Sequence, residues 1–185
     1  MDLTEESLSS EVVYDGVLLR VRRDTVRLPD GETSQREWIS HPGASAVVPV
    51  DDQGQVVLVR QFRFPPRREF WEVPAGKLDA EGEDPLDVAR RELAEEVHLA
   101  AERWTPLGDT YPAIGYSDEV IHLFLAEGLS PAHRDSDDDE FVEPFRMPLS
   151  EAVQMAQTGQ IQDVKSCVAL LLADAAIKAR DASSR

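Results

Sequence analysis

The sequence contains a single cysteine, Cys167, and no long apolar run. One cysteine excludes an intrachain disulfide, which is typical of proteins in a reducing compartment. The longest apolar stretch, residues 167–179, contains Asp174 and Lys178 and is too short to span a bilayer. Residues 2–6 are acidic and polar, which is the opposite of a signal peptide. We therefore expect a soluble, cytoplasmic protein.

Basic residues are scarce relative to acidic ones. The 19 lysines and arginines stand against 36 aspartates and glutamates, so the formal net charge is −17. Such a charge repels nucleic acid and anionic membranes, and neither is expected as a partner. An acidic protein can still act on an anionic small molecule if metal ions bridge carboxylate and phosphate groups. The apolar share of 42% is ordinary for a globular domain.

Four segments are expected along the chain. Residues 1–9 are polar and predict a flexible N-terminus, and 181–185 a flexible C-terminus. Residues 10–42 alternate like short strands around the turn Pro29-Asp30-Gly31, which indicates a small antiparallel β unit. Because so small a unit is too weak to stand alone, it should pack on the main domain, 43–180, or on a second subunit.

The main domain interleaves strand patterns with helix patterns. Strands are predicted at 46–50, 56–62 and 120–125, and helices at 150–158 and 164–179. A further helix begins at Pro85 after Asp84, which suits the N-cap, and carries one apolar face: Leu86, Ala89, Leu93 and Val97. This order favours an α/β fold with a mixed sheet.

Glu92, Glu95 and Glu96 share another face of the helix from Pro85. Three like charges in one patch repel one another unless a cation lies among them. Carboxylate oxygens suit Mg²⁺ or Mn²⁺, which bind a few carboxylates together with water and phosphate. A solvated acidic helix face is the alternative interpretation.

The surroundings of these glutamates resemble a known motif. Residues 76–83 form a glycine-led loop, and after seven more residues 91–97 read Arg-Glu-Leu-Ala-Glu-Glu-Val. This order resembles the Nudix box, and it implies a Nudix-type α/β/α sandwich that uses divalent metal. Two features depart from the box: the loop has one extra residue, and His98 replaces a glycine that often needs φ > 0.

The resemblance also implies roles for individual residues. Glu92 and Glu96 would be the main metal ligands, and Glu95 would serve a further ion. The Ala75 carbonyl would be an additional ligand, and Arg91 would orient the glutamates.

Segments outside the box resemble the ADP-ribose pyrophosphatase branch of the Nudix family; they are residues 41–44, 61–63, 71–76, 141–143 and 163–165. The branch implies a homodimer that hydrolyses ADP-ribose to AMP and ribose 5-phosphate. By resemblance, Arg36 and Arg63 would hold the diphosphate or terminal ribose, and Trp38 would stack on adenine. Glu72 would contact substrate or pair with an arginine. Surface salt bridges for the arginines, and a core or interface position for the tryptophan, are the alternatives.

The resemblance also bears on the general base and on the substrate. Glu140, in an acidic loop, matches the loop glutamate proposed as base in relatives, although acidic runs are usually only solvated. Asp118 and Glu119 are weaker site candidates. Ile114 stands where ADP-ribose enzymes often carry proline, so another nucleoside-diphosphate sugar or a dinucleotide is an alternative substrate. A non-catalytic nucleotide sensor is the alternative from a different class.

Overall fold

The structure is a computed structural model that describes residues 2–78, 82–132 and 141–183. Its elements, in chain order, are β1 (Glu6–Asp15), β2 (Arg20–Arg27), β3 (Thr33–Ser40), β4 (Ala44–Val50), β5 (Gln55–Arg63), β6 (Arg68–Glu72), β7 (Ala75–Lys77), α1 (Pro85–Val97), β8 (Leu99–Thr110), β9 (Ile121–Pro131), β10 (Val142–Pro148), α2 (Leu149–Gln157) and α3 (Val164–Ser183). The chain divides into two compact units, 1–42 with 111–120, and 43–110 with 121–185.

The N-terminal unit contains an antiparallel sheet in the order β1-β2-β3. β1 begins at Glu6, so it includes residues 6–9, which the sequence assigned to a flexible N-terminus. The reason is cross-strand pairing, because Glu6 lies opposite Arg27 and accepts a hydrogen bond of 3.3 Å from its Nε. Polar composition alone does not reveal such a strand.

A distant segment, Tyr111–Val120, belongs to the same unit. The Ile39 N–H donates to the Tyr116 carbonyl at 2.8 Å. The His41 N–H donates to Asp118 Oδ1 at 2.7 Å, across 77 positions of sequence. The domain boundaries expected from the sequence did not include this segment, because pairing over such a separation leaves no local pattern.

The main unit is built on a mixed sheet with the order β10-β5-β4-β9-β8. β4 and β9 are parallel, and the other neighbours are antiparallel. Val47 and Val57 face α1, whereas Val48 and Leu58 face α2 and α3, so helices cover both faces of the sheet. The α/β fold with a mixed sheet and a small antiparallel unit is confirmed.

A split between β4 and β5 positions the functional site. The two strands pair at Val50 and Val56 and then diverge, so β6 continues along β5 and β7 along β4. The chain crosses from β6 to β7 inside this split, where the Val47 N–H donates to the Pro74 carbonyl at 2.9 Å. Residues 72–77 are therefore held within the sheet.

The predicted helices are confirmed, with bounds that differ by a few residues. Asp84 caps α1 by accepting the Leu86 N–H at 2.9 Å. His98 ends α1 in the left-handed region, with φ 55°, which is the conformation expected where the box has glycine. α3 continues to Ser183, beyond the expected boundary at 180, and Arg180 on it donates to Glu127 at 2.6 and 2.9 Å. Within the described residues, none of the helices is long and apolar enough to cross a membrane.

Candidate active site

Glu92 and Glu96 are buried carboxylates on α1. Each is only 5% exposed, and the side chain of the neighbouring Glu95 is 15% exposed. Removing adjacent carboxylates from water is unfavourable unless cations or hydrogen-bond donors compensate them. The alternative of a solvated acidic face therefore does not hold for Glu92 and Glu96.

The loop at Ala75 and Gly76 packs directly on these glutamates. The Ala75 N–H donates to Glu96 Oε2 at 3.2 Å. A Cβ at Gly76 would lie 2.0 Å from Glu92 Oε1, a distance that real Cβ atoms do not show. β7 fixes this loop by pairing Ala75 with Ala46 and Gly76 with Ser45. Any side chain larger than hydrogen at position 76 would thus have to displace the Glu92 carboxylate.

Arg91 connects the helix to the same loop. Its Nη1 lies 3.0 Å from Glu92 Oε1 and 3.5 Å from Glu95 Oε2, and its Nη2 donates to the Lys77 carbonyl at 3.1 Å. One planar guanidinium therefore contacts two carboxylates and the loop backbone at once, which fixes their relative orientation. This arrangement agrees with the orienting role that the resemblance implied, and that role stays a prediction.

The donor set is compatible with a divalent metal ion. No group of three or more histidine, cysteine, aspartate or glutamate side chains in the described part of the chain converges closely enough to enclose an ion alone. Mg²⁺ usually takes one or two carboxylates and completes its shell with water and substrate phosphate, so an enclosing cage is not required. Glu92 and Glu96, with the Ala75 backbone beside Glu96, offer the hard oxygen atoms that such an ion prefers.

Arg63 and Glu72 form a second charged pair in the same unit. Arg63 Nε and Nη2 donate to the two oxygens of Glu72, each at 2.7 Å. Burial alone would raise the pKa of Glu72, but the hydrogen bonds from Arg63 and the charges of Lys165 and Arg63 outweigh it, and the pKa is lowered. The hydrogen bond to Glu72 in turn raises the pKa of Arg63. Both groups are charged, and the Arg63 side chain is 43% exposed.

The start of α3 completes this network. Lys165 Nζ donates to Glu72 Oε2 and, at 2.9 Å, to Asp163 Oδ2. Ser166 Oγ donates to Asp163 Oδ2 at 2.5 Å and accepts the Val73 N–H at 2.8 Å. No role in the site was expected for Lys165 and Ser166 from the sequence, because 93 positions separate them from Glu72 and Val73. The pairing of Lys165 with Glu72 and of Ser166 with Val73 is visible only in the folded structure.

Arg36 and Trp38 lie on β3 of the N-terminal unit. Arg36 donates from Nε to Glu5 at 2.9 Å, so it forms an exposed salt bridge. Trp38 lies under the guanidinium of Arg22, 5.7 Å from Cζ to the ring centroid. Their contribution to substrate binding stays a prediction.

The remaining candidates are Asp118, Glu119 and Glu140. Asp118 accepts the His41 N–H, and Glu119 lies 3.9 Å from His41 Nε2, so both have partners within the N-terminal unit. Glu140, the candidate base, lies outside the described residues. A depression of about 410 Å³ lies on β5, β6 and β10, but none of the helix glutamates, Arg63 or Glu72 lines it.

Comparison with known proteins agrees with these features. Residues 39–166 match the family model described as NUDIX domain, and residues 5–39 match the one described as nucleoside diphosphate sugar hydrolase N-terminal domain. Over 170 residues the chain is 39% identical to the ADP-ribose pyrophosphatase of Bacillus subtilis, with 91% of each chain covered. Over 168 residues it is 38% identical to the methanol dehydrogenase activator of Bacillus methanolicus, with 90% of each covered.

A solved structure shows the same fold. The crystal structure of an ADP compounds hydrolase matches with a TM-score of 0.85 at 22% identity, covering 97% of this chain and 98% of that one. The two family-model matches meet at residue 39, close to the boundary of the N-terminal unit at Pro42.

Proposed function

Because the chain belongs to the Nudix family, we propose that it hydrolyses the diphosphate bond of ADP-ribose to give AMP and ribose 5-phosphate. The observation that carries this proposal is the buried carboxylate pair Glu92 and Glu96, against which the loop at Gly76 packs. The substrate follows from the Bacillus subtilis relative, whose name gives ADP-ribose.

Nudix hydrolases generally need a divalent metal ion, and we propose Mg²⁺ or Mn²⁺ here. Glu92 and Glu96, with the Ala75 carbonyl, would hold it, and Glu95 would contribute to a further ion. A bound divalent ion would neutralise charge on the diphosphate and lower the pKa of a water molecule.

The other residues have supporting roles in this proposal. Arg91 holds the carboxylates of Glu92 and Glu95 in a fixed orientation. Arg63, presented by Glu72, binds an oxygen of the diphosphate or terminal ribose through charge and a planar fork of donors. Arg36 binds the diphosphate or terminal ribose, Trp38 stacks on adenine, and Glu140 removes a proton from the attacking water.

Another nucleoside-diphosphate sugar is the second candidate substrate, because the match over residues 5–39 names nucleoside diphosphate sugars. A panel of ADP-ribose, other nucleoside-diphosphate sugars and dinucleotides, each with Mg²⁺, separates the candidates. Release of AMP from ADP-ribose with the highest kcat/KM supports the main proposal. Preference for another substrate counts against it, and no turnover of any substrate favours a nucleotide sensor.

The proposed metal role has its own test. Glu96→Gln keeps the size of the side chain and removes its charge, so kcat/KM should fall by about 100-fold or more. Glu151→Gln is the matched control, since Glu151 is an exposed glutamate in the first turn of α2. Equal turnover by Glu96→Gln and the control would remove Glu96 from the proposed metal site.

We also propose a cytoplasmic homodimer. The dimer is supported by β1, every residue of which is exposed, including Leu8, Val12, Val13 and Tyr14. An exposed edge strand with apolar side chains is a surface that a second copy can cover. Light scattering should give twice the chain mass of 20.6 kDa, and a mass of one chain would contradict the dimer.

A further inference from the structure

Lys165, in the first turn of α3, is almost buried. Its side chain is 11% exposed, and its Nζ contacts the carboxylates of Glu72 and Asp163. Lysine is rarely buried unless it is paired. Here two carboxylates converge on one ammonium group, and Lys165 is the group that keeps them together.

Glu72 is bound from two sides. Arg63 occupies one edge of the carboxylate with Nε and Nη2, and Lys165 reaches Oε2 from α3. Within the described residues, Arg63 Nη1 has no hydrogen-bond partner, although its side chain is 43% exposed. The guanidinium thus has one edge fixed on Glu72 and one nitrogen that can bind a ligand.

We propose that Lys165 is a positioning residue that fixes the direction of the Arg63 guanidinium through Glu72. Without Lys165, Glu72 and Asp163 face each other with one cation fewer, and like-charge repulsion displaces the Glu72 carboxylate. The Arg63 guanidinium then moves as well, because both of its hydrogen bonds to Glu72 depend on the position of that carboxylate. The effect on substrate binding rests on the proposed function, in which Arg63 is a substrate ligand.

The hydrogen bonds that anchor the loop at Val73 are independent of those that position Arg63. Ser166 Oγ accepts the Val73 N–H and donates to Asp163, and neither bond uses Lys165. Lys165 can therefore be replaced while α3 still holds the chain at Val73. This separation distinguishes a positioning role from a general contribution to the fold.

Steady-state kinetics with ADP-ribose test the proposal. Lys165→Met should raise KM about tenfold with little change in kcat, the size expected for one misplaced charged hydrogen bond. Lys165→Arg, which keeps the charge, should restore part of the loss. Lys178→Met is the matched control, because Lys178 lies on the same helix but is 73% exposed and pairs only with Asp174 among the described residues.

Two further variants show through which residue the effect acts. In an Arg63→Ala background, Lys165→Met should add no further loss, because its effect passes through Arg63. Ser166→Ala should lower the thermal unfolding temperature without raising KM. Additive losses in the double variant, or an equal rise of KM in Ser166→Ala, would overturn the proposal.

An NMR measurement tests the inference without turnover. The Arg63 Nε–H signal should be protected from exchange in the wild type and in Lys178→Met, and lost or shifted in Lys165→Met. Lys165→Gln gives the same test if the methionine variant does not fold. An unchanged Arg63 signal overturns the inference, whereas a wild type that releases no AMP overturns only the proposed function.

Discussion

Replacing Gly76 with alanine should disable the site while the fold persists. The new Cβ would lie 2.0 Å from Glu92 Oε1 and 2.2 Å from its Cδ, whereas ordinary contacts begin at 3.4 Å. Either the loop or the Glu92 carboxylate must move by about 1 Å or more, a misplacement that can cost about 100-fold in rate. Glu92 has little room to move, since it is 5% exposed and lies 3.0 Å from Arg91 Nη1.

Two assays measure this effect. With Mg²⁺ and ADP-ribose, kcat/KM of Gly76→Ala should fall by about 100-fold. Binding of Mn²⁺, followed by electron paramagnetic resonance, should weaken about tenfold, because one carboxylate is displaced.

Gly159→Ala is the matched control for the same change of residue. Gly159 has φ +75° and nothing within 4 Å of an added Cβ, so alanine there costs about 1 kcal/mol of backbone strain without steric overlap. This variant should lose stability and keep its kcat/KM. If Gly76→Ala retains the activity of Gly159→Ala, the inferred contact between the loop and Glu92 is wrong.

Two other predictions concern stability. Arg180 lowers the pKa of Glu127 through its hydrogen bonds, so the pair stabilises the fold above the ordinary value of 4.5 and loses this effect as the pH falls through the lower folded pKa. At neutral pH, Arg180→Met should therefore have a lower free energy of unfolding in urea than the wild type. The difference between the two free energies should narrow below pH 4.5, and a difference that does not change with pH would contradict this reasoning. His98 holds φ 55° at the end of α1, so His98→Gly should raise the free energy of unfolding by up to about 1 kcal/mol with kcat/KM unchanged. If His98→Gly instead has a lower melting temperature than the wild type, the His98 side chain stabilises the fold by more than its backbone strain destabilises it.

Local patterns predicted the elements that local interactions determine. Asp84 and Pro85 marked the start of α1 because capping and the fixed proline φ act within one turn. The left-handed end at His98 followed from the motif for the same reason. The carboxylate face was visible because helix geometry alone brings Glu92 and Glu96 together.

Non-local pairing was not visible in the sequence. Lys165 and Glu72 are 93 positions apart, and their pairing depends on how α3 packs against the split sheet. The addition of Tyr111–Val120 to the N-terminal unit likewise depends on backbone bonds to Ile39. The burial of Glu92 also required the fold, since a glutamate-rich helix face is as compatible with solvent as with a loop packed on it.

The crossing segment, residues 72–77, has consequences for protein engineering. α1 holds it through the bond from Ala75 to Glu96, and α3 holds it from the opposite face through the bond from Val73 to Ser166. A substitution on α3 that is selected for heat resistance therefore also changes the position of the loop beside Glu92 and Glu96. Libraries that seek a more stable form of this enzyme by changing α3 should be screened for kcat as well as for melting temperature.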